Sequence, residues 1–265
     1  MKIGLALSGG IARGIAHLGV LQYLEERGIK PAILAGTSAG SLVGALYCSG
    51  IPLPRIKEIV ASFSWKKLFK LSVPRKGLIR SSLLLDMIEA HLGQITFDEL
   101  KIPLVVNAAD LLSGEEVVMN EGLVALAVEA SCAIPGIFTP VRRGSQLLVD
   151  GGLLDNVPTA HLQGRGLDYI IAVDVGTQKT LQKEPDSIFE ILVQSFYIAR
   201  HKRDAQAHEF ADILIQPNLD DIAFWDVSKT DLLVSRGYQA SITALGSIRF
   251  EKKTGLLSKW LGIRN

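Results

Sequence analysis

The stretch that constrains this chain most is Pro31-Ala-Ile-Leu-Ala-Gly36-Thr37-Ser38-Ala39-Gly40-Ser-Leu-Val-Gly44-Ala-Leu-Tyr47. It predicts a short apolar strand, a turn with a serine at its apex, and a helix. Gly36-Thr37-Ser38-Ala39-Gly40 fits G-x-S-x-G, in which the serine sits on a sharp strand-to-helix turn. Gly36 and Gly40, lacking Cβ, let strand and helix approach closely. The turn presents the Ser38 hydroxyl outward, and the helix aims its N-terminal N–H groups at the same place. Ile33 and Leu34 suit a strand, Leu42, Val43 and Leu46 suit a packed helix, and Gly50 and Pro52 mark its end.

The residues before this turn repeat the pattern. Lys2 to Leu7 predicts a strand, Ser8-Gly9-Gly10-Ile11-Ala12-Arg13-Gly14 a tight loop, and Ile15 to Arg27 a helix closed by Gly28. Strand, loop, helix, strand, turn, helix is a β-α-β-α opening and implies a parallel sheet with right-handed crossovers. The first loop is not a dinucleotide fingerprint. G-x-G-x-x-G would need glycine at Ile11, and no acid closes a following strand about twenty residues on. Its backbone N–H groups at a helix N-terminus suit an anion, and an oxyanion hole asks for such donors. Arg13 adds positive charge there, or is a solvated arginine in the first helical turn.

Further along, 55–71 predicts a mixed helix with Lys57, Lys66, Lys67 and Lys70 beside Phe63, Trp65, Leu68 and Phe69. It reads first as an amphipathic surface helix, and in its sharper form as a basic, aromatic edge for peripheral membrane contact. Leu83 to Leu92 is helical, Leu104 to Ala109 a buried strand, Glu115 to Asn120 a second strand, and Leu123 to Cys132 a helix. Gln146 to Asp150 is a strand that ends in an acid and two glycines, Gly151 and Gly152. Open α/β sheets place their chemistry at such carboxyl ends. Tyr169 to Val175 and Ile213 to Gln216 are strands, and 188–207, 232–250 and 255–262 are helices. With 265 residues and no linker or repeat, one domain is the economical reading, with motifs over about 2–176 and a helical part over about 185–265.

A serine hydroxyl is a poor nucleophile until a base takes its proton. Histidine is the usual base, but His17, His91, His161, His201 and His208 sit in no recognisable motif at a strand end. A Ser-acid-His order would allow His161, His201 or His208. A carboxylate also serves if it accepts the proton as the bond forms. Asp150 is the best placed, ahead of Asp174, while Asp110 and Asp155 read as turn acids. The net charge of +1 gives no field for nucleic acid. No H-E-x-x-H, paired C-x-x-C or calcium-loop pattern occurs, so neither metal nor cofactor is expected. Two cysteines, Cys48 and Cys132, are too few for a disulfide framework and point to a reducing, cytoplasmic setting. No apolar run is long enough to cross a membrane. A mean hydropathy of +0.28 fits a covered parallel sheet or an apolar binding surface.

Taken together, Ser8 to Gly14 with Arg13-Gly14, Gly36 to Gly40, Ser131-Cys-Ala-Ile-Pro135-Gly-Ile-Phe-Thr-Pro140, Asp150-Gly151-Gly152 and Asp155-Asn156-Val157-Pro158 resemble the patatin-like phospholipase family. The likeness is to its bacterial members of the neuropathy target esterase type. The resemblance implies a three-layer α/β/α fold with a mostly parallel sheet, here with extra C-terminal helices. It implies a metal-free lipid acyl hydrolase with a Ser38–Asp150 dyad and an oxyanion hole at the backbone of Gly9, Gly10 and Ile11. Where this chain has Ile11 the family usually has a third glycine. If the position needs positive φ, a β-branched residue there costs energy. That departure keeps a second reading open: a regulatory or scaffolding protein on the same fold with a weak site. A nucleotide-binding protein is the third.

Overall fold

The computed structural model describes residues 1–62, 79–176, 184–185 and 188–250, without the side chains at 188–189, 200–203 and 205–207. The expected lysine and aromatic edge beyond Ser62, the terminal helix over 255–262 and the His201 side chain lie outside the described residues.

The helices are α1 (Ala16–Glu26), α2 (Ala39–Cys48), α3 (Leu53–Ala61), α4 (Ser82–Leu92), α5 (Val124–Ser131), α6 (Ile188–His208) and α7 (Thr230–Leu245). The strands are β1 (Ile3–Leu7), β2 (Ile33–Gly36), β3 (Leu104–Asp110), β4 (Glu116–Met119), β5 (Val141–Arg143), β6 (Gln146–Asp150), β7 (Tyr169–Val173) and β8 (Ile213–Ile215). They form one sheet in the order β5-β6-β3-β2-β1-β7-β8, with β4 also on β3. β3, β2, β1, β7 and β8 run parallel, β4 and β6 pair antiparallel with β3, and β5 pairs antiparallel with β6. This is the mixed α/β fold with a mostly parallel central sheet that the opening pattern implies. β5 was not foreseen, because Val141-Arg-Arg143 is short, partly exposed and without alternation.

The central parallel strands β1, β2 and β3 are buried along their whole length, so they read as continuous apolar runs. Their side chains still alternate. Leu5, Leu7, Leu34, Val106 and Ile171 join the large core that contains α1, α2, α5 and α7 residues. Ala6, Ile33, Ala35, Val105 and Ile170 face the other way, into a small cluster closed by Leu162 and Leu167. Helix α7 seats against α1 through paired glycines. A methyl on Gly19 would lie 1.9 Å from the Val234 carbonyl oxygen, and one on Gly237 would lie 2.0 Å from that of Ala16. The two backbones touch there because neither residue has a side chain. Among the described residues, no helix is long and apolar enough to cross a membrane.

The pairing around β3 brings two distant segments together. Val106 pairs with Gly36 of β2 and Met119 of β4, so those strands occupy opposite edges. Ala108 pairs with Val117 of β4 and Asp150 of β6, so β6 lies on the same edge as β2. β2 is parallel to β3 and β6 antiparallel, so their carboxyl ends approach head-on along one edge. The last residue of each pairs two positions apart on β3, which is roughly 7 Å of strand.

Candidate active site

The turn after β2 and the acid ending β6 meet at this junction. Ser38 has φ +51° and ψ −122°, a left-handed conformation that non-glycine residues rarely hold. Its surroundings fix it. The Ser38 N–H donates to Ser131 Oγ at 2.8 Å, and the Ser38 carbonyl accepts from Ser41 Oγ at 2.6 Å and from the Leu42 N–H at 3.1 Å. The two glycines of the motif are sterically required. A methyl on Gly36 would sit 2.7 Å from the Gly40 carbonyl oxygen, and one on Gly40 would sit 2.2 Å from that of Leu7. Gly14 serves in the same way at the glycine loop, where a methyl would meet Ala39 Cβ at 2.5 Å.

Thr37 ties this turn to the segment after β6. Its hydroxyl donates to Asn107 Oδ1 at 2.8 Å and lies 3.2 Å from the Asp155 carbonyl oxygen. Asn107 Nδ2 donates to that carbonyl at 2.8 Å and to Glu116 Oε1 at 2.7 Å. Sequence reasoning missed the roles of Asn107 and Ser131. The available signal was an amide inside the otherwise apolar strand Leu104 to Ala109, since a buried amide needs partners.

Asp150 is 2% exposed and Ser38 6%. Both line one narrow space with Gly9, Gly10, Ile11 and Asn156, roofed by Val193, Phe196 and Tyr197. The Asp150 N–H donates to the Ala133 carbonyl at 3.0 Å, and its Oδ1 accepts from the Gly152 N–H at 2.8 Å. Gly151 passes so close to Asn107 that a methyl would lie 2.6 Å from its carbonyl oxygen. On the other side of Ser38 lies an apolar cavity of about 80 Å³. Ile15, Leu42, Val60, Leu84, Met87 and Phe138 are among its walls, and among the described residues Ser38 contributes the sole side-chain oxygen there. Ile11 and Ile134 border both spaces.

In the glycine loop, the Gly9 N–H is already engaged by the Asn156 carbonyl at 3.2 Å. The N–H groups of Gly10 and Ile11 have no backbone acceptor among the described residues. Ile11 does hold positive φ, at +53°. Arg13 is not solvated. It is fully buried, its Nε and Nη2 donate to the Ile222 carbonyl at 2.9 and 2.7 Å, and its guanidinium lies 3.9 Å over the Phe224 ring. Phe224 stacks on Tyr197, whose ring forms part of the roof. Arg13 therefore fastens the C-terminal segment to the glycine loop.

Among the described residues no histidine lines either space beside Ser38. His17 is buried with Nε2 2.8 Å from the Ser8 carbonyl oxygen, and burial pulls its pKa down to about 4. It is neutral, and Nε2 carries the proton because a carbonyl can only accept. His208 Nε2 lies 3.0 Å from Asp174 Oδ2, so the runner-up acid is engaged elsewhere. Asp110 accepts from Leu112 N–H, Ser113 Oγ and Leu147 N–H and is a turn acid. Asp155 belongs to a cluster with Glu116 and His161, where His161 Nε2 is 3.0 Å from Glu116 Oε1 and 3.7 Å from Asp155 Oδ2. Burial, then the charge of Glu116, pushes Asp155 up to about 7. Burial is the largest single effect on His161 and Glu116 and opposes their charged forms, but hydrogen bonds and neighbouring charge together outweigh it, raising the histidine and lowering the glutamate.

The patatin-like phospholipase family model matches residues 5–162. An uncharacterized NTE family protein of Mycobacterium tuberculosis is 36% identical over 177 residues, covering 66% of this chain and 49% of that protein. Lysophospholipase NTE1 of Saccharomyces cerevisiae is 30% identical over 251 residues, covering 92% of this chain and 14% of that protein. The chain thus spans about half the length of the mycobacterial relative and a small part of the yeast one. The crystal structure of VipD from Legionella pneumophila superposes with a TM-score of 0.62 at 16% identity, covering 91% of this chain and 66% of that one, a likeness of fold.

Proposed function

The chain belongs to the patatin-like phospholipase family, and from that premise we propose that it hydrolyses carboxylic esters of phospholipids or related lipids through a Ser38–Asp150 dyad. The observation that carries the reading is the head-on meeting of β2 and β6, which puts a serine in a strained turn and a buried carboxylate around one narrow space. The apolar cavity on the far side of Ser38 suits an acyl chain. A relative named lysophospholipase supports a monoacyl lipid as the first substrate to test.

In this mechanism Ser38 Oγ attacks the ester carbonyl carbon while its proton passes to Asp150. The carbonyl oxygen becomes an oxyanion, held by the N–H groups of Gly10 and Ile11 and by the positive end of α2. Gly9 supports that loop through its bond to Asn156. Collapse breaks the bond to the alcohol oxygen, which leaves with the proton from Asp150. An acyl group is then esterified to Ser38. Water attacks it, gives a proton to Asp150, and the carboxylic acid departs as Ser38 recovers its hydrogen. Every proton moves between Ser38, Asp150, substrate and water.

The test is intact-mass analysis after exposure to an alkyl fluorophosphonate. One adduct is expected on the wild type, none on Ser38→Ala, and much slower labelling on Asp150→Asn. Labelling of Asp150→Asn at the wild-type rate would refute the dyad. The positive φ of Ile11 favours a second reading, a scaffolding protein with a weak site. A folded wild type that takes no adduct would favour it.

A further inference from the structure

Asn156 lies beside this site with an unused carboxamide. The residue is 2% exposed, and neither Nδ2 nor Oδ1 has a hydrogen-bond partner among the described residues. Its backbone carbonyl is occupied by the Gly9 N–H, so the main chain is anchored while the side chain is not. Asn156 is one of the residues that line the space holding Ser38 and Asp150. A methyl on Gly9 would sit 2.6 Å from Asn156 Oδ1 and 3.0 Å from Ser38 Cβ, so the amide and the nucleophile flank the position that the missing side chain leaves open. A buried polar group without partners is rare and destabilising, and a catalytic or binding role is one physical reason for keeping it.

We propose that Asn156 is a specificity residue that hydrogen-bonds a free hydroxyl next to the scissile ester, selecting monoacyl glycerolipids over lipids acylated at the neighbouring carbon. This rests on the reading of Ser38 as the nucleophile. The chemistry follows from the two unused atoms. Nδ2 can donate and Oδ1 can accept, and one hydroxyl satisfies both, whereas an oxyanion would satisfy the donor alone. Room points the same way. The whole space shared by Ser38, Asp150 and Asn156 has about 20 Å³ free. One water needs about 10–15 Å³. A second acyloxy group does not fit there. The apolar cavity shares Ser38, Ile11 and Ile134 with this space and is otherwise lined by different residues, which suits an acyl chain in one and a polar group in the other.

A site built to bond a hydroxyl rejects an analogue without it, because its own polar atoms are then left unpaired. Two substrates isolate this: 1-palmitoyl-lysophosphatidylcholine, and the same molecule with hydrogen in place of the glycerol hydroxyl. For the wild type, kcat/KM should favour the hydroxylated lipid by about 10- to 100-fold. In Asn156→Leu, close in shape but without donor or acceptor, the ratio should fall to near one. A merely structural role would lower both lipids together and leave the ratio intact. A wild-type ratio near one overturns the proposal, and that measurement needs no variant to fold. So does an Asn156→Leu protein that keeps the wild-type ratio, or one that loses both lipids by the same factor, as an oxyanion donor would. Fluorophosphonate labelling separates this from the proposal beneath it. A labelled Ser38 with no turnover of either lipid refutes the role of Asn156 alone, while an unlabelled folded protein refutes the hydrolase and the Asn156 role with it.

Discussion

Ile11 offers a direct test of strain in the glycine loop. Its φ of +53° is one that a β-branched side chain resists. Holding a non-glycine residue in the left-handed region costs roughly 1–2 kcal/mol. The perturbation is a pair of substitutions, Ile11→Ala and Ile11→Gly, compared with each other. Both delete the same apolar contacts with the cavity wall to within one methyl, so those losses nearly cancel. At an ordinary position alanine is the more stable of the two by about 0.4–1 kcal/mol, because glycine gains entropy in the unfolded chain. At Ile11 the strain persists in alanine and vanishes in glycine. Subtracting the entropy term from the strain leaves glycine ahead by about 0.5–1 kcal/mol. Equilibrium urea denaturation measures this, with equal m-values as the check that both variants unfold from comparable states. Alanine as stable as glycine, or more so, would show that the backbone at position 11 is relaxed, and the argument from positive φ would fail.

Two other outcomes follow from the same reasoning. Gly237→Ala inserts a methyl 2.0 Å from the Ala16 carbonyl oxygen and should destabilise by about 3 kcal/mol, although alanine is the better helix former by about 1 kcal/mol. A raised melting temperature would contradict the close crossing of α1 and α7. The Asp155 carboxyl, raised from 3.8 to about 7 by burial and Glu116, binds its proton more tightly folded than unfolded. It therefore lowers stability as pH rises from about 4 to about 7, with the full penalty above that range. Asp155→Asn should gain on the wild type between pH 5 and pH 8 in urea midpoint, and a difference that is flat with pH would remove the buried-acid argument.

Local pattern alone determined a good deal of this protein. The elbow at Ser38 was legible because glycine at Gly36 and Gly40, an apolar run before and an amphipathic run after are features of adjacent residues, and turn chemistry acts over that range. The strands β1, β2, β3, β6 and β7 and most helix bounds were legible for the same reason. Asp150 was legible as an acid closing an apolar strand. Tertiary structure decided the rest, because it depends on which strand pairs with which and on what each polar atom finds nearby. Nothing local to Gly36 or Asp150 says that β2 and β6 share one edge of β3. Arg13 looked like a surface charge until the loop at Ile222 and Phe224 closed over it. Gly9 looked like an oxyanion donor until the Asn156 carbonyl took its N–H. Asn107 and Asn156 are the same residue type, told apart by their partners: one is fully bonded in the network behind Ser38, the other is left with a free amide beside it. Hydrogen-bond satisfaction is a property of three-dimensional neighbours, and no spacing along a chain encodes it.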